Sequence, residues 1–170
     1  IACGAIYGPD REIHHVSAAP RLKVLREIME QCREKIIVFA PFTSVVSMLS
    51  KELRKDYSVE VINGEVSAKQ RNEIFSAFMG AVHPRVLVAD PGTMSHGLTL
   101  TAASTIVWYA PTDRTEIYLQ ANKRIDRPGQ TKATTIVQLA ATAIEREIYK
   151  RLEGNESMQG LVLALAKGKL

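Results

Sequence analysis

Two arginines and a glutamine in the stretch Tyr118–Gln130 carry the spacing richest in possible chemistry. Gln120, Arg124 and Arg127 stand at i, i+4 and i+7, which on a helix places all three side chains on one face. Arg127 precedes Pro128, so its backbone is pushed away from α geometry and the residue belongs at a helix end. Guanidiniums there are favourable to the helix dipole and reach off the edge of a domain. In that position they suit the negative charge that spreads over the γ-phosphate oxygens during phosphoryl transfer. Spacing alone favours a plainer alternative, a solvated basic helix with Arg124 paired to Glu116 or Asp126.

Side chains of this kind need a rigid platform. Apolar runs rich in β-branched residues recur at Ile36–Phe39, Val59–Ile62, Arg85–Ala89, Thr105–Tyr109 and Thr134–Leu139. Most are near-continuously apolar, the mark of strands buried on both faces. Helical faces alternate with them: Leu22, Leu25, Ile28, Met29 and Cys32; Val45, Val46, Leu49 and Leu53; Ile74, Phe75, Phe78 and Met79; Ile144, Ile148 and Leu152. Capping-box spacing marks helix starts at Ser67/Gln70, Asp113/Glu116 and Thr142/Glu145. Gly80 marks the end of the third helix, and Pro128–Gly129 the end of the helix bearing the arginines. The alternation predicts an α/β fold, a parallel sheet flanked by helices. Ligands on such sheets bind in loops at the strand carboxyl ends, here after Ala40, Ala89 and Tyr109. Trp108 and Tyr109 end a strand and belong to the core or to interdomain packing.

The bulk properties narrow the class. A chain of 170 residues with 46% hydrophobic content suits one domain with a proper core. The net charge of +4 is compatible with nucleic acid without demanding it. No apolar run is long enough to cross a bilayer. Cys3 and Cys32 make no disulfide framework, and with His14 and His15 they lack the tight spacing of a zinc site. No metal site is expected. The chain starts at Ile1 with a short apolar stretch lacking a basic flank, which reads as the cut edge of a longer protein. Residues 1–20 are accordingly expected to be the trailing edge of a preceding segment, 21–153 the main domain, and 154–170 a helix packed on it or on a missing neighbour.

At this point a family enters. Gln120, Ala121, Arg124, Arg127, Gly129 and Gln130 match all six fixed positions of Gln-Ala-x-x-Arg-x-x-Arg-x-Gly-Gln. The stretch resembles the last motif of superfamily-2 helicases in its Swi/Snf-type form. Other pieces follow in the family's order. Lys35-Ile-Ile-Val-Phe-Ala-Pro-Phe-Thr-Ser44 resembles the strand-and-turn motif that opens the second RecA-like domain. Asn63 to Arg71 is similar to the family's Gly-x6-Arg turn and helix. Gly97-Leu98-Thr99-Leu100 resembles the loop ending in Gly-x-Asn-Leu, Thr142-Ala-Ile-Glu145 the start of the closing helix, and Arg21-Leu-Lys-Val-Leu25 the helix leading in. One departure stands out: the family loop carries Ala-Gly-Gly-x-Gly, and this chain has Thr93-Met94-Ser95-His96-Gly97.

The resemblance implies a three-layer RecA-like domain, the C-terminal motor half of an ATP-dependent DNA helicase or translocase. It implies catalytic arginine fingers at Arg124 and Arg127, and ATP contacts from Gln120, Gly97, Arg124 and Arg127. Nucleic-acid contacts fall on Thr43, Ser44, Gly64, Arg71, Thr93 and Ser95. ATP and Mg²⁺ would be held mainly by a first RecA-like domain in cis. No Gly-x4-Gly-Lys-Ser/Thr occurs in these residues, so this piece is expected to be silent alone. The Swi/Snf form favours DNA over RNA. The absence of a long insertion between Gly80 and Arg85 suggests a compact bacterial or phage form working in the cytoplasm, or in the nucleus if eukaryotic. The alternative is a non-catalytic α/β module that binds nucleotide or nucleic acid. A phosphate-binding enzyme of the doubly wound class ranks last, because Ala40-Pro-Phe-Thr-Ser44 lacks glycine.

Overall fold

The computed structural model describes residues 5–7, 13–15, 17–94 and 99–154. Two short strands, β1 (Ala5–Tyr7) and β2 (Ile13–His15), pair antiparallel, an element the sequence did not signal. The main body then alternates. Helix α1 (Ala19–Gln31) leads to β3 (Lys35–Phe39), α2 (Thr43–Leu53), β4 (Val59–Ile62), α3 (Ala68–Gly80) and β5 (Val86–Ala89). A 3-10 turn (Pro91–Met94) follows, then β6 (Ala103–Trp108), α4 (Thr115–Asn122), β7 (Thr135–Gln138) and α5 (Ala143–Glu153). The expected apolar helix at 157–166 lies outside the described residues.

The five strands β3 to β7 form one parallel sheet in the order β4-β5-β3-β6-β7. Alternation along β3 divides the core. Ile36, Val38 and Ala40 pack with Leu25 and Met29 of α1 and Val45, Val46 and Leu49 of α2. Ile37 and Phe39 pack on the other face with Phe75 and Phe78 of α3, Tyr118 and Ala121 of α4, and Tyr149 and Leu152 of α5. Three layers result, as residue alternation on a doubly covered sheet requires. Each fully buried Leu or Ile contributes about 1.5–3 kcal/mol relative to exposure. Trp108 and Tyr109 are both completely buried, so they are core.

The helix ends are held by long-range cations that local pattern does not reveal. Lys35 Nζ donates to the Phe78 and Ala81 carbonyls at 2.6 Å each and sits 4.9 Å over the Phe78 ring. Burial lowers its pKa. Arg85 donates to the Met29 carbonyl at 2.9 Å and to the Cys32 carbonyl. Both place positive charge on the negative end of a helix.

The capping boxes at Ser67/Gln70 and Thr142/Glu145 are formed. The one expected at Asp113/Glu116 is not. Helix α4 has Arg114 at its N-cap, which leaves Asp113 one residue outside. The Thr112 hydroxyl takes the Arg114 N–H at 3.3 Å instead, and Glu116 accepts from Gln120 at 2.9 Å.

Candidate functional site

From β3 the chain leaves toward β4, whereas from neighbouring β6 it leaves toward β7. Connections that diverge this way open a crevice at the carboxyl ends of the strands. Helix α2 starts there with Phe42 at its N-cap, a residue with no side-chain oxygen to cap it. Thr43 is exposed and Ser44 half-buried. Gly64 follows the next strand but one, β4, in an exposed turn where Asn63 Oδ1 accepts the Glu65 N–H at 3.1 Å. A Cβ added at Gly64 would meet nothing within 4 Å. Thr93, after β5, donates its hydroxyl proton to the Asp90 carbonyl at 2.7 Å, and the Gly92 N–H bonds Asp90 Oδ1 at 2.8 Å. The Thr93 hydroxyl therefore offers lone pairs and no proton. Arg71 is half-buried and donates to the Val66 carbonyl at 3.4 Å. Thr43, Ser44, Gly64 and Thr93 thus lie along one sheet edge. Ser95 and Gly97 lie outside the described residues.

The arginine stretch differs from its expected geometry in two respects. First, α4 ends at Asn122, so Gln120, Arg124 and Arg127 do not share a helix face. In a continuing helix the Arg124 carbonyl would accept from residue 128, which is a proline with no N–H. The Leu100 N–H takes that carbonyl instead, at 2.9 Å. The Arg124 N–H bonds the Ala121 carbonyl at 3.1 Å, a tightened last turn. Trp108 Nε1 fixes the helix end by donating to Asn122 Oδ1 at 2.8 Å.

Second, the arginines do not lie at the carboxyl edge. Helix α4 carries the chain back along β6, as a crossover between parallel strands must. The stretch that follows it sits at the amino end of that strand. Gln130 Nε2 donates to the carbonyl of Ala103, the first residue of β6, at 2.9 Å. Lys132 meets Glu34, just before β3, at 2.5 Å. The arginine turn and the polar row are therefore a strand length apart, roughly 17 Å for the six residues of β6.

Within the turn, Arg124 is buried, with 3% of its surface exposed. Burial first, and then the charge of Arg127, lower its pKa. It stays a cation at any ordinary pH. Arg127 is half-buried; its Nε donates to the Lys123 carbonyl at 3.3 Å and its Nη1 to Thr99 Oγ1 at 3.4 Å. Gln120 is exposed and bonded to Glu116, apart from the arginines. The turn thus brings two guanidinium charges close together. Among the described residues no group of three or more His, Cys, Asp or Glu side chains could hold a metal ion. Cys32 Sγ donates weakly to Thr105 Oγ1 at 3.7 Å.

Sequence reasoning named one residue of weight only as the start of the lead-in helix and gave it no role. Arg21, only 6% exposed, donates to both carboxylate oxygens of Glu145 at 2.7 and 2.8 Å and to the Tyr109 and Leu139 carbonyls. It also lies 5.6 Å over the Tyr109 ring. It bolts the start of α1 to the carboxyl ends of β6 and β7. The Thr142/Glu145 capping spacing pointed to one of its partners.

The helicase conserved C-terminal domain matches residues 20–129. A protein of Invertebrate iridescent virus 6, named as a candidate helicase, is 30% identical over 126 residues, covering 73% of this chain and 21% of the relative. An ATP-dependent helicase of Mycoplasma pneumoniae is 31% identical over 139 residues, covering 79% of this chain and 13% of the relative. SWI/SNF-related matrix-associated actin-dependent regulator of chromatin subfamily A-like protein 1 of Xenopus tropicalis is 30% identical over 121 residues, with 71% and 12% covered. The chain spans about a fifth or less of these relatives' length. The C-terminal part of the Fun30 ATPase domain superposes with a TM-score of 0.71 at 22% identity, covering 76% of this chain and 44% of that one. The C-terminal domain of the DEAD-box protein Dbp5 gives 0.69 at 16% identity, with 81% and 78% covered. These two likenesses bear on the fold, which is RecA-like. The chain belongs to the helicase conserved C-terminal domain family, as a C-terminal RecA-like domain related to the SWI/SNF-type ATP-dependent helicases.

Proposed function

We propose that this domain, spanning residues 21–153, is the second motor half of an ATP-driven translocase on DNA. Arg124 and Arg127 supply positive charge to the γ-phosphate of ATP held by a first RecA-like domain in cis, and Gln120 and Gly97 are its further ATP contacts. Thr43, Ser44, Gly64, Thr93 and Ser95 with Arg71 contribute to the nucleic-acid track. The observation that carries this reading is the folded-back turn at the amino end of β6, which gathers two guanidiniums about a strand length from the polar row. Two separate neighbourhoods suit two separate ligands. The open space over Gly64 supports close approach of a phosphate backbone there. Thr93, left with lone pairs, suits an N–H or hydroxyl partner better than a phosphate oxygen, so it is the weakest member of the track.

In chemical terms the arginines orient and stabilise charge and move no proton. A guanidinium supplied to a transferring phosphoryl group is worth about 10³–10⁵ in turnover. Mg²⁺, when bound, neutralises phosphate charge from ligands outside the described residues. The 170 residues alone are expected not to hydrolyse ATP. Two of the relatives matched over this length are named as helicases, which supports nucleic acid as partner, and the Swi/Snf-type form supports duplex DNA over RNA.

The test is ATP turnover by the full-length protein without nucleic acid, with single-stranded DNA, with duplex DNA and with RNA, beside the 170-residue piece. Stimulation by duplex DNA with a silent piece is the expected result. Stimulation by RNA alone overturns the choice of DNA. No stimulation by any polynucleotide overturns the motor reading and leaves a non-catalytic binding module.

A further inference from the structure

Arg127, Pro128, Gly129 and Gln130 form a β-turn, closed by the Gln130 N–H donating to the Arg127 carbonyl at 2.9 Å. Pro128 sets φ at the second position, and Gly129 has φ +99° at the third. That is the pattern of a type II turn, which needs a left-handed residue in third place. The Gln130 side chain then folds back beneath the turn. Its Nε2 lies 2.9 Å from the Ala103 carbonyl, 3.0 Å from that of Ile125 and 3.3 Å from that of Thr101. Its Oε1 accepts the Lys132 N–H at 3.1 Å. A primary amide has two N–H donors, so the two shorter bonds take one each and the third carbonyl shares.

All four of these partners are backbone groups. Ile125 lies between the two arginines. Thr101 is two residues beyond Thr99, whose hydroxyl accepts from Arg127 Nη1 at 3.4 Å. Ala103 opens β6. One side chain therefore ties the segment carrying the guanidiniums to the strand end and to the loop one guanidinium touches. Its hydrogen-bonding groups are committed to the chain and face no ligand.

From this we infer that Gln130 is a positioning residue: it seats the Arg127–Gln130 turn on the amino end of β6 and so holds Arg127 where it meets phosphate. The inference rests on the reading of Arg127 as a cation facing the γ-phosphate. Gly129 and Pro128 serve the same end through the turn. Misplacing a catalytic group by about 1 Å is enough to lower turnover about 10²-fold.

The experiment is a double-substitution cycle on DNA-stimulated ATP turnover by the full-length protein. Gln130→Leu keeps the volume and removes the donors. It is expected to lower kcat about 30- to 100-fold with KM for ATP within about twofold. Gly129→Ala is a gentler probe, because the added Cβ meets nothing within 4 Å and only the turn's φ resists it. It is expected to lower kcat about tenfold, and it carries the test if Gln130→Leu does not fold. In an Arg127→Ala background neither change should lower the residual turnover further, since the group they position is gone. Additive losses in that background would overturn the inference and make Gln130 a general stabiliser of the fold. Unchanged turnover in Gln130→Leu, with a large loss in Arg127→Ala, would overturn it while sparing the arginine reading. Unchanged turnover in Arg127→Ala itself would sink both.

Discussion

The two ends of β6 use buried arginines in opposite ways. At the carboxyl end, Arg21 is gripped by Glu145 and by the Tyr109 and Leu139 carbonyls. There the guanidinium does the holding. At the amino end, Leu100, Gln130 and the 127–130 turn take up the carbonyls around Arg124 and Arg127. There it is the backbone around the guanidiniums that is held. Arg21 and Arg124 are similarly buried, at 6% and 3% exposure, so burial does not tell the two roles apart. The neighbouring charge differs: a carboxylate at 2.7 Å for Arg21, and the cation Arg127 for Arg124. A cation beside a carboxylate is satisfied within the fold. A cation beside a cation favours an anion nearby, which is the property the proposed γ-phosphate contact uses.

The largest expected effect separates the two ends most directly. Arg127→Ala in the full-length protein should lower nucleic-acid-stimulated ATP turnover by about 10³ or more while ATP binding persists, measured by steady-state turnover beside nucleotide titration. Turnover at the wild-type rate would erase the distinction. At the other end, Arg21→Ala leaves the half-buried Glu145 without its cation and should destabilise the domain by about 3 kcal/mol, read from denaturant melts. Pairing it with Glu145→Ala should cost less than the two single losses summed. A loss below about 1 kcal/mol would put this pair among ordinary surface bridges.

The helix caps sharpen the comparison further. Ser67→Ala, remote from both ends of β6, should cost about 1 kcal/mol. Thr142→Ala should cost more, because the same Glu145 that closes its box also grips Arg21. Equal costs in thermal melts would show that box and bolt are independent. The smallest effect concerns Tyr149, whose hydroxyl donates to the Trp108 carbonyl at 3.3 Å. Burial pushes its pKa far above the usual tyrosine value. The folded protein keeps this proton where the unfolded chain releases it, so the contribution is intact below about pH 10 and is lost as pH rises beyond. Between pH 9 and 11 the unfolding free energy should fall more steeply in the wild type than in Tyr149→Phe; parallel slopes would contradict this.

The strands were legible because their apolar runs are nearly continuous. The run Ile36–Phe39 became Lys35–Phe39, and Val59–Ile62 was unchanged. The four apolar helical faces likewise became α1, α2, α3 and α5. The arginine motif was legible as a string of fixed spacings, yet its shape was not. Periodicity extended α4 through Arg127, whereas Pro128 removes the N–H that the Arg124 carbonyl would need to continue the helix. The rule that ligands sit at strand carboxyl ends pointed to the loops after Ala40 and Ala89, where Thr43, Ser44 and Thr93 lie, whereas Gly64 came from the resemblance alone. The rule missed the arginines, because an antiparallel crossover helix delivers its own C-terminus to the opposite edge. The part Arg21 plays was not legible for another reason. Its partners lie 88, 118 and 124 residues away, and no local window contains them.

That separation has a kinetic meaning. The ion pair between Arg21 and Glu145 encloses most of the domain, so it closes only after the intervening strands have docked. Loop-closure entropy delays such contacts to the downhill side of the folding barrier. Loosening the bolt should therefore leave the folding rate nearly untouched and speed unfolding almost in full proportion to the stability lost. Arg21 thus governs how long a folded domain persists, more than how quickly it forms.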